Sequence, residues 1–212
     1  MCGRYVFVSE PRELKSDFPD LEIISQSQPK TNISPGQDIS VVRKKKTHIL
    51  SSMRWGLIPS WAKDHAGTFK TFNARSETIT EKPTFRTPFK KKRCLIPFNG
   101  FYEWKTEGKK KTPHYFFSPT SDILYFAGLY DEWEGHNGYL ESCTVITTSA
   151  NSLLSELHDR MPVILNPSLW DVWLSEKTNE KELLGLLQPA PPDLLNKIMV
   201  SEVREGVLPV VS

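Results

Sequence analysis

The chain has 212 residues, of which 38% are hydrophobic and 25% are charged, and its formal net charge is +2. This composition is ordinary for a soluble globular protein, and the length is sufficient to bury a hydrophobic core. No run of roughly 18 apolar residues suggests a membrane span, and the first thirty residues lack the apolar stretch of a signal peptide, so we expect a cytoplasmic protein, associated with the nucleoid if its source is bacterial.

Most predicted elements are short β-strands, because runs rich in β-branched and aromatic residues recur along the chain. The turn of one hairpin is predicted at Lys44–Lys46, and a second at residues 136–138, where Asn-Gly tolerates the positive φ angles of tight turns. The predicted strands are Tyr5–Val8, Ile39–Val42, Thr47–Met53, Cys94–Pro97, Tyr115–Phe117, Ile123–Tyr130, Cys143–Thr147 and Val163–Leu165.

Helical signals are fewer. A proline suited to a first turn opens one segment, and Ser149 and Thr178 are plausible N-caps for two others. Because strands dominate, we expect an α+β domain with a mainly antiparallel, barrel-like β-sheet core and a few short helices, forming a single domain over residues 2–212. The predicted helices are Pro11–Phe18, Asn151–Leu157, Ser168–Leu174 and Asn179–Leu187.

The charges are segregated along the chain. Residues 41–111 hold 18 Lys and Arg against 5 Asp and Glu, whereas the rest of the chain holds 9 against 20. Three clusters dominate the basic part: Arg43–Lys46, Lys90–Arg93 and Lys109–Lys111. This segregation indicates a surface that faces a polyanion such as nucleic acid, although lysine-rich solvated turns would give the same pattern.

The three cysteines, Cys2, Cys94 and Cys143, match neither a disulfide framework nor the paired spacing of zinc ligands. We therefore expect no structural metal and no cofactor. Cys94 and Cys143 lie in predicted strands and are interpreted as small buried hydrophobic residues.

Cys2 follows the initiator methionine, and a residue as small as cysteine permits removal of Met1. The product would be an N-terminal cysteine, with an amine and a thiol two carbons apart. Both groups have reference pKa values of about 8 to 8.5, so both nucleophiles are partly available at neutral pH. An aldehyde would form an imine with the amine, and the thiolate would then close a five-membered thiazolidine ring in an intramolecular step.

Five further motifs follow Cys2-Gly-Arg along the chain. The combination and order of these motifs resemble those of the SOS response-associated peptidase (SRAP) family from Cys2 to about Leu165. A closing segment, Val200–Arg204, also resembles the family's final motif, except that Arg204 stands where asparagine is usual. The motifs that carry the resemblance are Asn32–Gly36, Trp55–Trp61, Phe72–Glu77, Asn99–Trp104 and Leu157–Pro162.

The resemblance implies a self-processing enzyme that exposes Cys2 and then forms a thiazolidine crosslink with the ring-opened aldehyde of an abasic deoxyribose. It implies single-stranded DNA and junctions with duplex as partners, and we expect a monomer without membrane association. An AP-lyase side reaction is a further expectation, since imines at abasic sites can undergo β-elimination.

The resemblance also assigns the catalytic residues. Cys2 is the nucleophile, and Asn73 matches an active-site amide that can hold the amine near the sugar. Glu103 and His158 match the groups that transfer protons during ring opening and imine formation. Thr147 matches an active-site threonine. Taken without the family pattern, each of these side chains would be assigned an ordinary structural role.

The DNA-binding residues are assigned in the same way. Arg4, Arg75 and Arg160 flank the catalytic motifs as the family's phosphate contacts do, and an arginine fork matches phosphate oxygens. Trp55 and Trp61 belong to a segment resembling the one that stacks against bases, although either tryptophan could instead pack in the core.

Two other functions stay open from the sequence. The protein could be a cysteine peptidase that cleaves other proteins through Cys2 and His158, or a non-covalent reader of modified DNA bases. The basic surface disfavours the first, because a peptidase needs no such surface.

Overall fold

A computed structural model describes residues 2–64, 71–135 and 138–209. Strands dominate in these ranges, and the helices α1 (Pro83–Lys91), α2 (Ser152–Ser155), α3 (Trp170–Leu174) and α4 (Glu180–Gly185) are short. The strands are β1 (Tyr5–Phe7), β2 (Glu22–Ile23), β3 (Lys30–Ile33), β4 (Asp38–Lys44), β5 (His48–Trp55), β6 (Asn73–Arg75), β7 (Arg93–Phe98), β8 (Gly100–Glu107), β9 (Lys110–Phe117), β10 (Leu124–Gly135), β11 (Gly138–Ser149), β12 (Arg160–Pro162) and β13 (Asn196–Met199).

Five strands close into a barrel in the order β11-β10-β7-β4-β5, with β5 returning to β11. Four of the pairings are antiparallel, and the closing pairing of β5 with β11 is parallel, with Cys143 opposite Trp55. The short strand β6 adds to β11, also in parallel. The predicted α+β class with a barrel-like, mainly antiparallel core is therefore confirmed.

A second, antiparallel sheet, β13-β9-β8-β1-β3, packs one face against the barrel. Alternate residues of a strand point to opposite faces. On the inner face Tyr5 meets Trp55 edge-on, with ring centroids 5.4 Å apart, and Phe101 meets Phe126 at 6.0 Å. The outer face carries a smaller buried cluster that the C-terminal segment covers: Val6, Tyr102 and Tyr115, packed by Val200 and Val203.

Both predicted hairpins join strands that pair in the structure. β4 and β5 pair antiparallel up to Lys44 and His48, so the turn at Lys44–Lys46 is confirmed. β10 and β11 pair up to Gly135 and Gly138, and Gly138 has the positive φ, 116°, that favours glycine. Residues 136 and 137 of that predicted turn lie outside the described residues.

The helix predictions were right in place but imprecise in extent. The segment Pro11–Phe18 forms only a 3-10 turn at Glu13–Lys15. Ser149 is not a cap, because it stays in β11 opposite Arg160. Asn151 caps α2 instead.

The predicted cap Thr178, one strand and one helix also differ from the predictions. Asn179 rather than Thr178 caps α4. The predicted strand Val163–Leu165 forms only an isolated bridge at Ile164, with β12 just before it. Helix α1 was missed, because Pro88 inside it reads as a helix breaker.

No helix in the described ranges is both long and apolar enough to cross a bilayer.

The two asparagine caps provide a stability test. Asn151 is buried; its Oδ1 accepts the Leu154 amide and its Nδ2 donates to the Ala190 carbonyl, whereas Asn179 is solvent-accessible and caps through Glu182 N. We expect Asn151→Ala to lower the free energy of unfolding by about 2–3 kcal/mol and Asn179→Ala by about 0.5–1 kcal/mol. Urea denaturation of both variants measures the difference, and equal losses would contradict the role given to the buried second hydrogen bond.

Candidate active site

Cys2 lies just before β1 and is completely buried in the main hydrophobic core, in a chain that still carries Met1. The sequence leads one to expect an exposed reactive residue after Met1 removal, and the structure places the thiol inside instead. Asn73 reaches it from β6: its Nδ2 donates to the Cys2 carbonyl oxygen at 2.9 Å. The Asn73 Oδ1 atom is buried and accepts no hydrogen bond from the residues that the structure describes.

Glu103 is brought to the same place by the pairing of β1 with β8. Tyr5 faces Phe101 in this antiparallel register, and the Tyr102 amide donates to the Arg4 carbonyl at 2.9 Å, so residue 103 lies beside the start of β1. The Glu103 side chain is 4% exposed. Three of the predicted catalytic residues therefore form one group, in which Cys2 and Glu103 are buried and Asn73 is half-buried.

The surroundings of Cys2 oppose its ionisation. Burial is the largest cause that raises the pKa of the Cys2 thiol, the Glu103 carboxylate is the second, and a hydrogen bond from the Arg4 backbone partly lowers it. The thiol is therefore protonated at neutral pH. A reaction through the sulfur requires a group that removes this proton.

Thr147, Arg160 and Glu77 form a second group on the same barrel edge. Thr147 is buried in β11, opposite Arg75 of β6. The Arg160 Nη2 atom donates to the Thr147 carbonyl at 2.5 Å and lies 3.3 Å from Thr147 Oγ1, while its Nη1 atom pairs with Glu77. The hydrogen bond from Arg160 lowers the pKa of the Glu77 carboxyl. Arg160, which we predicted to contact phosphate, thus has most of its guanidinium engaged within the protein.

His158 is oriented by the backbone of Arg160, whose N–H donates to His158 Nδ1 at 3.0 Å. The same Nδ1 lies 2.7 Å from the Asp159 carboxylate, a contact that requires a proton on Nδ1. The first contact therefore holds in a neutral ring with its hydrogen on Nε2, because a backbone N–H can only donate, and the second holds in a ring with a hydrogen on Nδ1. No hydrogen bond in the described ranges joins His158 to Cys2 or Asn73.

The predicted DNA-binding residues lie in different environments. Arg75 is exposed, and Trp61 is 65% exposed and available to stack against a base. The prediction for Trp55 was wrong: its side chain is fully buried, and its indole N–H donates to the Phe72 carbonyl at 2.8 Å. Of the two tryptophans in this motif, Trp55 therefore packs in the core and only Trp61 is exposed to contact DNA.

Arg4 directly precedes β1 and lines a cavity of about 390 Å³. Its Nη1 donates to Asn32 Oδ1 at 3.0 Å. Trp104 and Lys111 line the same cavity, although we did not single them out from the sequence. The signal was present, because the motif Asn99–Trp104 contains Trp104, and residues two apart share a strand face, which places Trp104 with Tyr102 on the outer face of β8.

Cys94 and Cys143 are buried free thiols, as predicted. Within the described residues, no three His, Cys, Asp or Glu side chains are grouped as metal ligands would be.

The fold and site define a class of protein in which a mixed β-barrel and an antiparallel sheet enclose a cysteine at the second residue, held by an amide and accompanied by a carboxylate. The family model described as SOS response associated peptidase (SRAP) matches residues 1–207. The chain belongs to this family.

Similar proteins support this assignment. The abasic site processing protein YoaM of Bacillus subtilis is 41% identical over 209 residues, covering 96% of this chain and 92% of that protein. The abasic site processing protein YMR114C of Saccharomyces cerevisiae is 41% identical over 165 residues, and the match covers 44% of its length.

Crystal structures show the same fold. One of a Bacteroides thetaiotaomicron protein has a TM-score of 0.85 at 27% identity and covers 94% of this chain and 92% of its own. One of a Bordetella bronchiseptica protein has a TM-score of 0.84 at 26% identity and covers 95% and 100%.

The effect of Glu103 on Cys2 can be measured directly. We expect Glu103→Gln to lower the pKa of the Cys2 thiol, because the variant removes a negative charge that opposes thiolate formation. Both proteins are prepared without Met1, so that they differ only at residue 103. The rate of alkylation at Cys2, followed by peptide mass spectrometry across pH, should then rise at lower pH in the variant than in the wild type. Cys94 is an internal control, since its raised pKa stems from burial without a contribution from Glu103. Parallel shifts at both cysteines would point to loosened packing instead.

Proposed function

We propose that this protein processes abasic sites in single-stranded DNA, and at junctions with duplex, by forming a covalent bond through Cys2. The observation that carries the proposal is the group in which Asn73 binds the carbonyl of the buried Cys2 and the buried Glu103 carboxylate raises the pKa of the Cys2 thiol. Relatives that cover nearly the whole chain are named abasic site processing proteins, which agrees with this chemistry.

Removal of Met1 is the first step. The Cys2 sulfur attacks the Met1 carbonyl carbon, and Glu103 takes the thiol proton and passes it to the departing Cys2 nitrogen. The peptide C–N bond breaks and a thioester between Met1 and the sulfur remains. Water hydrolyses this thioester, which releases methionine and leaves Cys2 with a free amine and a free thiol. A general base is needed because the buried thiol is protonated at neutral pH.

The second step bonds the protein to DNA. The free Cys2 amine adds to the C1′ aldehyde of the ring-opened abasic sugar, and loss of water gives an imine. The sulfur then adds to the imine carbon while its proton moves to the nitrogen, closing a thiazolidine. The second attack is fast because both nucleophiles belong to one residue.

Three side chains assist these steps. Asn73 fixes the Cys2 backbone through its Nδ2, and its buried Oδ1 is an acceptor for the new amine. Glu103 and His158 move protons to and from the sugar oxygen, with the His158 proton on Nε2. Thr147 holds Arg160, and through it the backbone that orients His158.

The covalent bond can be tested with one residue changed at a time. Protein lacking Met1 is incubated with a single-stranded oligonucleotide that contains one abasic site, and the products are separated on a denaturing gel. Wild type and Cys94→Ala should give a shifted band that survives heating. Cys2→Ser keeps the amine but lacks the thiol, so its band should appear only after borohydride reduction of the imine.

Three other outcomes would refute the proposal, and a fourth would extend it. A heat-stable band from Cys2→Ser without reductant would exclude the thiazolidine. Cleavage of casein without any shifted band would identify a peptidase for other proteins, and native binding without a covalent band would identify a reader of DNA bases. A shortened oligonucleotide would add an AP-lyase reaction to the crosslink.

Self-processing has its own test. The protein is made in a reconstituted translation system that lacks methionine aminopeptidase, and intact mass is followed over time. We expect the wild type to lose the mass of Met1 and Glu103→Gln to lose it at least about tenfold more slowly, because general bases contribute roughly 10²–10⁴-fold. Lys105→Gln, changed in the same strand but exposed to solvent, is the matched control. A wild-type protein that retains Met1 would refute self-cleavage.

A further inference from the structure

The three basic clusters that the sequence places between residues 41 and 111 differ in their surroundings. At one end of the barrel the lysines face carboxylates. Lys44 pairs with Asp171, and Lys92 lies 2.7 Å from Asp131 and 3.0 Å from Glu132. These charges are compensated within the protein, so they contribute little to binding a polyanion.

Two neighbours of these lysines are also engaged within the protein. Lys90 pairs with Glu180 at 3.2 Å. Arg93 is buried, and its guanidinium donates to the carbonyls of Phe89, Trp173 and Ser175. Among the basic residues of this segment, four therefore pair with carboxylates from the acidic part of the chain: Arg43, Lys44, Lys90 and Lys92.

The third cluster, Lys109–Lys111, lies at the turn between β8 and β9, and we call it the β8–β9 lysines. Lys109 and Lys110 are exposed, and none of the three forms an ion pair within the described ranges. Glu107, the carboxylate closest along the chain, pairs with Lys105 at 2.9 Å. Lys45 and Lys46 of the first cluster are also exposed, but they share their cavity with the carboxylates of Asp171 and Glu176.

The β8–β9 lysines are connected to the candidate active site through Arg4 and strand β8. Lys111 lines the same cavity as Arg4, which is two residues from Cys2. Glu202 also lines this cavity, but Arg204 pairs with it. From Glu103 beside Cys2 to Glu107 at the turn, β8 extends for about 13 Å at roughly 3.3 Å per residue.

We propose that the DNA strand on one side of the abasic site runs from Cys2 past Arg4 and along the β8–β9 hairpin to the β8–β9 lysines. These side chains bind phosphates without reading base sequence. The proposal rests on the proposed function only where it places the abasic sugar at Cys2. The basic cluster around Lys44, by contrast, does not contact this strand.

The test compares two variants that each lose three lysine charges from a hairpin turn. The first changes all of Lys109–Lys111 to glutamine, and the matched control changes all of Lys44–Lys46 to glutamine. Binding of an unmodified single-stranded oligonucleotide is measured by fluorescence anisotropy at a series of salt concentrations. Because each lost phosphate contact reduces the slope of log K against log salt by about 0.7, we expect a reduction of about 2 in the first variant and less than about 0.5 in the control.

A second measurement determines whether the strand bound by the β8–β9 lysines lies 5′ or 3′ of the abasic site. Crosslinking is timed on oligonucleotides in which the strand extends only 5′ or only 3′ of the abasic site, at subsaturating protein. The change of Lys109–Lys111 should slow crosslinking with one of these substrates and leave the other at the wild-type rate.

The outcomes separate this proposal from the proposed function. Equal reductions of the salt slope in both variants, or none in the first, would overturn the path along the β8–β9 hairpin. Equal slowing with both one-sided substrates would overturn it as well. If the slopes differ as expected but no variant or wild type forms a covalent band, the DNA path stands and the covalent function fails.

Discussion

The parallel pairing of β11 with β5 and β6 is the constraint on which the rest of the structure depends. It closes the barrel, because β11 already pairs with β10 on its other side. It also sets Asn73 opposite Val145 and Arg75 opposite Thr147, so residues some seventy positions apart meet at one edge. The start of β1 then lies against this edge, where Asn73 binds the Cys2 carbonyl. Without this pairing the predicted catalytic residues would have no common location.

The sequence predicted the elements whose signals are local. β4, β5, β7 and β10 are β-branched or aromatic runs; the first three were predicted to within two residues at each end, and the prediction for β10 stopped five residues short. β6 was missed because Asn-Ala-Arg has no strand propensity and is extended only through its pairing with β11. The resemblance to a family supplied the candidate site residues, but it did not separate the group around Cys2 from the group around Arg160, because that division depends on strand pairing distant in sequence.

The basic clusters show a similar limit of prediction from sequence, because ion pairs between distant residues are not visible in a count of charges. A count along the chain gives a strongly positive segment and a strongly negative remainder, yet ion pairs such as Lys92–Asp131 and Arg43–Glu141 connect the two. Charges that compensate one another at short range produce little field at a distance, so the count overstates the surface available to a polyanion. Trp55 is a comparable case: the motif contained two tryptophans, and the closing barrel strand buried the first of them.

The buried state of Cys2 connects the two steps of the proposed reaction. While the Cys2 nitrogen is still part of a peptide bond, burial and the Glu103 carboxylate both oppose ionisation of the Cys2 thiol. Cleavage of that bond replaces a neutral amide by an amine that binds a proton, two carbons from the sulfur. A positive charge at this distance stabilises the thiolate and offsets Glu103. In the proposed mechanism the carboxylate that keeps the uncleaved thiol unreactive also serves as the base that starts cleavage, and the product of that cleavage activates the sulfur for the sugar.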